Sequence, residues 1–125
     1  MRKGLNRVMV IGDVARGPEM RYMPTGRPVT SFSVGATRSW ESADGEHHEE
    51  TEWFNVVAWG ELAERCKEAL NVDDRVYVEG RLQTRRWKSE DGSSHFRAEL
   101  MAREVILLNY AREADAVLAE ATDSQ

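Results

Sequence analysis

Apolar and polar residues alternate through most of the chain, the period of half-buried β-strands whose side chains project to opposite faces in turn. In "LNRVMVIG" both parities are apolar: Val8 and Val10 are matched by Met9 and Ile11. Such a strand is covered on both faces, by a core or by another subunit. "DVARGPE" is expected to break it at Gly17 and Pro18. "MRYMPTGRPVTSFSVGATRSW" reads as two strand pieces about the "PTGRP" turn. In its second half Phe32, Val34 and Ala36 share one face, and Ser31, Ser33 and Thr37 the other. Asp44-Gly45 marks the tip of a long hairpin. "TEWFNVVAWG" follows, with Trp53, Asn55, Val57 and Trp59 on one face. Its two tryptophans lie about 20 Å apart at roughly 3.3 Å per residue.

The period then lengthens. In "GELAERCKEAL", Leu62, Cys66, Ala69 and Leu70 form a helical stripe, and "NVDD" ends the helix. "RVYVEGRLQTRRW" returns to alternation. Val76, Val78 and Leu82 point one way; Tyr77, Glu79, Arg81, Gln83, Arg85 and Trp87 point the other. A second Asp-Gly turn, Asp91-Gly92, leads into "FRAELMAREVILL", with Phe96, Ala98, Leu100, Ala102, Ile106 and Leu108 on one side. Five antiparallel strands with a helix after the third match an all-β, five-stranded oligonucleotide/oligosaccharide-binding (OB) barrel with extended hairpins. A generic five-stranded meander is the alternative from pattern alone. The barrel is expected over residues 1–109. Residues 110–125 read as an acidic tail with a weak Ala-rich stripe, helical or disordered. No internal repeat or domain boundary is read.

Bulk composition narrows the class little. A chain of 125 residues with 31% charged and 41% hydrophobic residues is an ordinary single domain. One cysteine, Cys66, excludes an internal disulfide and fits a reducing compartment. No apolar run approaches membrane-spanning length, and "MRKGLNR" lacks the apolar stretch of a secretory signal, so no membrane partner is expected. The net charge of −5 argues against nucleic acid until its distribution is read. Residues 1–38 hold seven Arg or Lys and two acids, whereas 41–52 hold six acids and no base. A nucleic acid responds to the local field of a patch.

The candidate chemistry is aromatic and cationic. Arg81, Arg85 and Trp87 occupy alternate positions of one strand face, flanked by Arg86 and Lys88. Trp40, Trp53, Trp59 and Trp87 all lie outside the apolar stripes. Any one of them is equally well explained by core or subunit packing. The set, interleaved with arginines, suits single-stranded nucleic acid. Unpaired bases expose flat faces that stack on aromatic rings, while Arg and Lys neutralise phosphates. Tryptophans at intervals along a strand would serve as successive platforms for such a ligand. His47 and His48 among glutamates read as a solvated hairpin tip, and His95 and Cys66 add no ligand spacing, so no metal site is expected. No nucleophile–base pair or Gly-rich phosphate loop is present, which leaves no enzyme and no cofactor to expect.

The segments "RVMVIG…GPEMRYMPTG", "TEWFNVVAWGELAE", "VYVEGRLQTRRW" and "EVILL" together resemble the bacterial single-stranded DNA-binding protein family over about residues 5–108. The resemblance implies an OB barrel, a homotetramer (a dimer as fallback) and a cytoplasmic, nucleoid-associated protein that coats single-stranded DNA in replication, recombination and repair. Position by position, it puts the stacking aromatics on Trp40, Trp53, Trp59 and Trp87 and basic contacts on Arg85 and Arg86, with Lys3 and Arg21 added. Arg81 is assigned from face alternation alone. Glu61, Asn55 and "NVDDR" stand where many members carry positive charge, which implies weaker binding or a different path. The chain ends "AEATDSQ" where the family usually has an acidic tip ending in Pro-Phe, so recruitment of repair and replication enzymes through such a tip is not expected. The alternative is a replication or recombination accessory protein acting mainly through protein–protein contacts.

Overall fold

The computed structural model describes residues 1–109. Five strands and one helix follow in the expected order: β1 Val8–Tyr22, β2 Pro28–Glu41, β3 His47–Trp59, α1 Glu61–Ala69, β4 Arg75–Lys88 and β5 Ser94–Leu107. They close into a barrel in the order β1-β2-β3-β5-β4. The sheet is mixed rather than wholly antiparallel. β3 and β5 pair in parallel at Val56–Leu100 and Val57–Met101, and this seam closes the barrel. The readings made for the tail lie outside the described residues.

β1 is one strand, not two. It pairs with β4 through Val8–Asp13 and with β2 through Asp13–Tyr22, changing partner at Asp13. Register shifts on either side of Arg16 absorb the Gly17-Pro18 step without ending the strand. A continuous ladder tolerates bulges that a sequence pattern reads as breaks. Where β1 turns this corner, a Cβ on Gly12 would lie 2.3 Å from the Gly35 carbonyl oxygen, so the two backbones touch only because a side chain is absent.

The core is the inward parity of the strands: Val10 and Val14, Phe32 and Val34, Val56 and Ala58, Val76 and Val78, and Leu100. Helix α1 seals it with Ala63 and Cys66, joined by Leu70 at its C-terminal cap. Ala63, rather than the expected Ala69, completes the buried stripe. The Thr30 hydroxyl donates to the Ala63 carbonyl at 2.7 Å and ties the helix to β2. Burial pushes the Cys66 thiol up to about 11, so it stays neutral and acts as a small apolar residue.

In β5 the alternation slips once. Glu79 faces Glu104 but Gly80 faces Ala102, which leaves Arg103 as an extra residue. Beyond it the faces exchange. Val105 and Leu107 lie opposite inward Val78 and Val76, whereas Ile106 lies opposite Tyr77. The expected run of Phe96 to Leu108 on one side is therefore broken at Arg103. Outward Met9, Ile11 and Ile106 remain exposed, Met9 by 64%.

Candidate nucleic-acid interface

β2 and β3, like β4 and β5, run past the barrel as paired ribbons. The outward parity of these ribbons carries most of the expected residues. On β3, Trp53, Asn55, Val57 and Trp59 lie opposite Gly35, Ser33, Ser31 and Val29 of β2. On β4, Arg81, Gln83, Arg85 and Trp87 lie opposite Met101, Glu99, Arg97 and His95 of β5. The Val57–Met101 pair joins the two rows across the parallel seam.

Trp53 is 62% exposed, with its ring lying on Gly35. A Cβ at Gly35 would come 2.6 Å from that ring, so the glycine lets the indole lie flat on the sheet. Trp59 carries the Arg27 guanidinium 4.9 Å from its ring centre. Arg21, Trp59, Gln83, Arg85, Arg97 and Glu99 converge in a groove of about 640 Å³ floored by Val29 and Val57. Buried Glu99 moderates its charge, 3.4 Å from Arg97 and 3.9 Å from Arg85.

The structure separates other members of the expected set. Arg86 lies on the opposite face from Arg85, across from Phe96, with its guanidinium 5.9 Å from that ring. Phe96 is 72% exposed. Trp40 shares the parity of Phe32 and Val34, so it continues the inward face rather than the outward one. Lys3 precedes β1, exposed, and is not among the residues lining this groove. Glu61 is paired with Arg65 at 3.3 Å on α1. Asp74 of "NVDDR" is buried and closes a turn, accepting from Asn71 N and Asn109 Nδ2 at 2.8 Å each.

One feature escaped the reading of the sequence. The two hairpin tips are copies of each other. Thr37, Arg38, Trp40, Ser42, Asp44, Gly45 and His48 recur at a constant offset as Thr84, Arg85, Trp87, Ser89, Asp91, Gly92 and His95. The signal was on the page as T-R-x-W-x-S-x-D-G-x-x-H, written twice. Each tip turns through a glycine of φ 88° or 87°. Each glycine N–H donates to the serine carbonyl at 2.9 Å. In each, the histidine stacks on the cross-strand tryptophan, at 5.4 Å and 21° for Trp40–His48 and at 5.5 Å and 22° for Trp87–His95. An arginine covers each indole, Arg38 at 4.3 Å and Arg85 at 4.9 Å.

The aspartates cap these turns. The Ser42 hydroxyl and the Glu46 N–H donate to Asp44 and hold its carboxyl below the usual range. Asp91 accepts from the Ser89 hydroxyl, the Ser93 hydroxyl and the Ser93 N–H, which bring it down to about 2.

A closed five-stranded barrel with a helix after β3 and aromatic, arginine-bearing hairpins is an oligonucleotide/oligosaccharide-binding barrel. Residues 5–108 match the single-strand binding protein family, and the chain belongs to it. Proteins of this family bind DNA without catalysing a reaction, in keeping with the absence of a catalytic set in the sequence. Among solved structures, the chain is similar to the Plasmodium falciparum SSB in complex with ssDNA. The TM-score is 0.79 at 26% identity, over 86% of this chain and 98% of that one. No helix among the described residues is long and apolar enough to cross a membrane.

Proposed function

We propose that this protein binds and protects single-stranded DNA without strong sequence preference, in replication, recombination and repair. Bases stack on Trp53, Trp59 and Trp87, and Arg21 and Arg85 neutralise phosphates, with Arg81 further along the same β4 face. Trp40, Arg86 and Lys3 add contacts outside that row. The observation that carries this reading is the meeting of Arg21, Trp59 and Arg85 in one groove, from strands far apart in sequence. An aromatic ring beside guanidiniums accepts any base face and any phosphate. Duplex DNA hides its base faces and gains only the charge term. Titration with oligo(dT), followed by tryptophan emission, tests the reading. Quenching is expected, with clearly tighter binding than to duplex of equal length. Equal affinity for the two would sink it.

Assembly belongs to the same reading. Met9, Ile11, Tyr77 and Ile106 form an outward apolar strip on neighbouring strands. Burial of this strip supports a homotetramer, with a dimer as the smaller alternative. Light scattering is expected to give four times the 14.2 kDa chain mass, and a 14.2 kDa particle would refute both states. A cytoplasmic, nucleoid-associated location follows from the ligand.

A second reading, an accessory protein working through protein contacts, is favoured by one observation. Trp40 sits among Glu41, Glu46, Glu49 and Glu50, and its covering Arg38 is tied to Glu50 at 3.0 Å. The same titration separates the two readings, because an accessory protein leaves tryptophan emission unquenched by oligo(dT).

A further inference from the structure

The outward face holds a second groove, of about 660 Å³, on the far side of Trp59. Trp59 and Met101 line both grooves and form the ridge between them. Arg7, Arg27, Arg81 and Arg103 line the second groove against one carboxylate, Glu79. The first groove sets three arginines against Glu19 and Glu99, so the second is the more cationic.

Its arginines divide by task. Glu79 is 4% exposed and is held by Arg7 Nε and Arg103 Nη2, each at 3.2 Å. These two arginines balance a buried charge, and removing either would leave it with a single partner. Arg27 and Arg81 pair with no carboxylate among the described residues. Arg27 rests over Trp59, and Arg81 donates to Gln83 Oε1 at 3.2 Å. Asn6 builds the wall. Its amide donates to the Leu82 carbonyl at 2.8 Å and accepts from the Leu82 N–H at 2.9 Å, pinning Leu5–Arg7 along β4. The Asn6 oxygen and Glu79 are both already engaged, by the Leu82 N–H and by arginines. What the groove offers is guanidinium, which recognises phosphate oxygens in pairs.

We infer that the second groove is a phosphate subsite for the same DNA strand, with Arg27 and Arg81 as its binding side chains. A nucleotide stacked on the Trp59 ridge has a phosphate on each side. One falls in the Arg21–Arg85 groove and the next in the Arg27–Arg81 groove. Positive charge missing at Glu61 and Asn55 is thereby supplied from another direction. This inference rests on the single-strand reading above.

The test compares wild type, R27Q/R81Q and R85A in oligo(dT) titrations over a range of salt concentrations. Arg27 and Arg81 are exposed, so thermal unfolding of R27Q/R81Q is expected to match wild type. The slope of log affinity against log salt is expected to fall in magnitude by about 1.4 in R27Q/R81Q, two phosphates at roughly 0.7 each. R27K/R81K keeps the slope, because lysine also neutralises phosphate. A wild-type slope in R27Q/R81Q, with R85A reduced, overturns the second subsite and leaves single-strand binding standing. Absence of oligo(dT) binding by wild type overturns both.

Discussion

The two hairpin tips share a motif, a turn and a tryptophan–histidine stack, yet they present these to different surroundings. The β4–β5 tip turns Trp87 to the outward face, with Arg85 at 4.9 Å and Arg97 at 6.0 Å from its ring. The β2–β3 tip turns Trp40 to the inward parity, and Glu50 occupies its arginine. A stacking platform is a local property, set by a dozen residues. Whether it meets an anion depends on two things the motif does not contain. One is the parity of the count back to the core, even from Val34 to Trp40 and odd from Val78 to Trp87. The other is the charge of the flanking strands.

If flanking charge governs, Trp87→Ala weakens single-strand binding by about 1–3 kcal/mol and Trp40→Ala by less than half as much. Isothermal titration with oligo(dT) measures both, and equal losses would make the charge setting irrelevant. Exchanging the setting is the next step down. Glu49→Lys with Glu50→Lys is expected to steepen the salt dependence by roughly 0.7 per lysine that meets a phosphate. It also frees Arg38 and moves the cost of Trp40→Ala toward that of Trp87→Ala. A flat response places the first tip off the path of the strand.

Smaller effects come from the histidines. His95→Ala and His48→Ala each remove one stacked ring, worth about 0.5–1.5 kcal/mol to the local pair. Faster tryptophan depolarisation is expected in both, with loss of DNA affinity only for His95→Ala. The smallest effect is on acid. A depressed carboxyl stabilises its turn above the ordinary carboxylate range and loses that contribution as pH falls through the folded value. Asp91 therefore keeps its turn until about pH 2, well below the ordinary aspartate range. Asp44 lacks a counterpart to the Ser93 hydroxyl and releases its turn at higher pH. Carboxyl carbon NMR during acid titration is expected to give that order; the reverse would break the account of the caps.

Much of the fold could be read from alternation, because inward parity and core coincide along β2, β3 and β4. β1 was misjudged because Gly17 and Pro18 are local signals, whereas pairing with both β2 and β4 is not. The aromatics were legible individually. Their grouping was not, since Arg21, Trp59 and Arg85 meet only through registers between distant strands. Arg27, Arg97 and Arg103 carried no motif at all and gained their positions from the barrel. The duplicated tip was legible throughout, as was the opposite facing of its two tryptophans, by counting.

The extra residue at Arg103 has a consequence for how the strand responds to change. Replacing Arg103 alters one side chain and one ion pair. Removing it would leave Ala102 and Glu104 consecutive, still opposite Gly80 and Glu79, so the ladder becomes regular and every residue that follows keeps its face. Val105 and Leu107 would stay opposite Val78 and Val76, and Glu104 and Ile106 would stay outward. Arg103 is a spare letter in the line: the text on either side still reads when it is dropped, and what goes with it is the ion pair to Glu79.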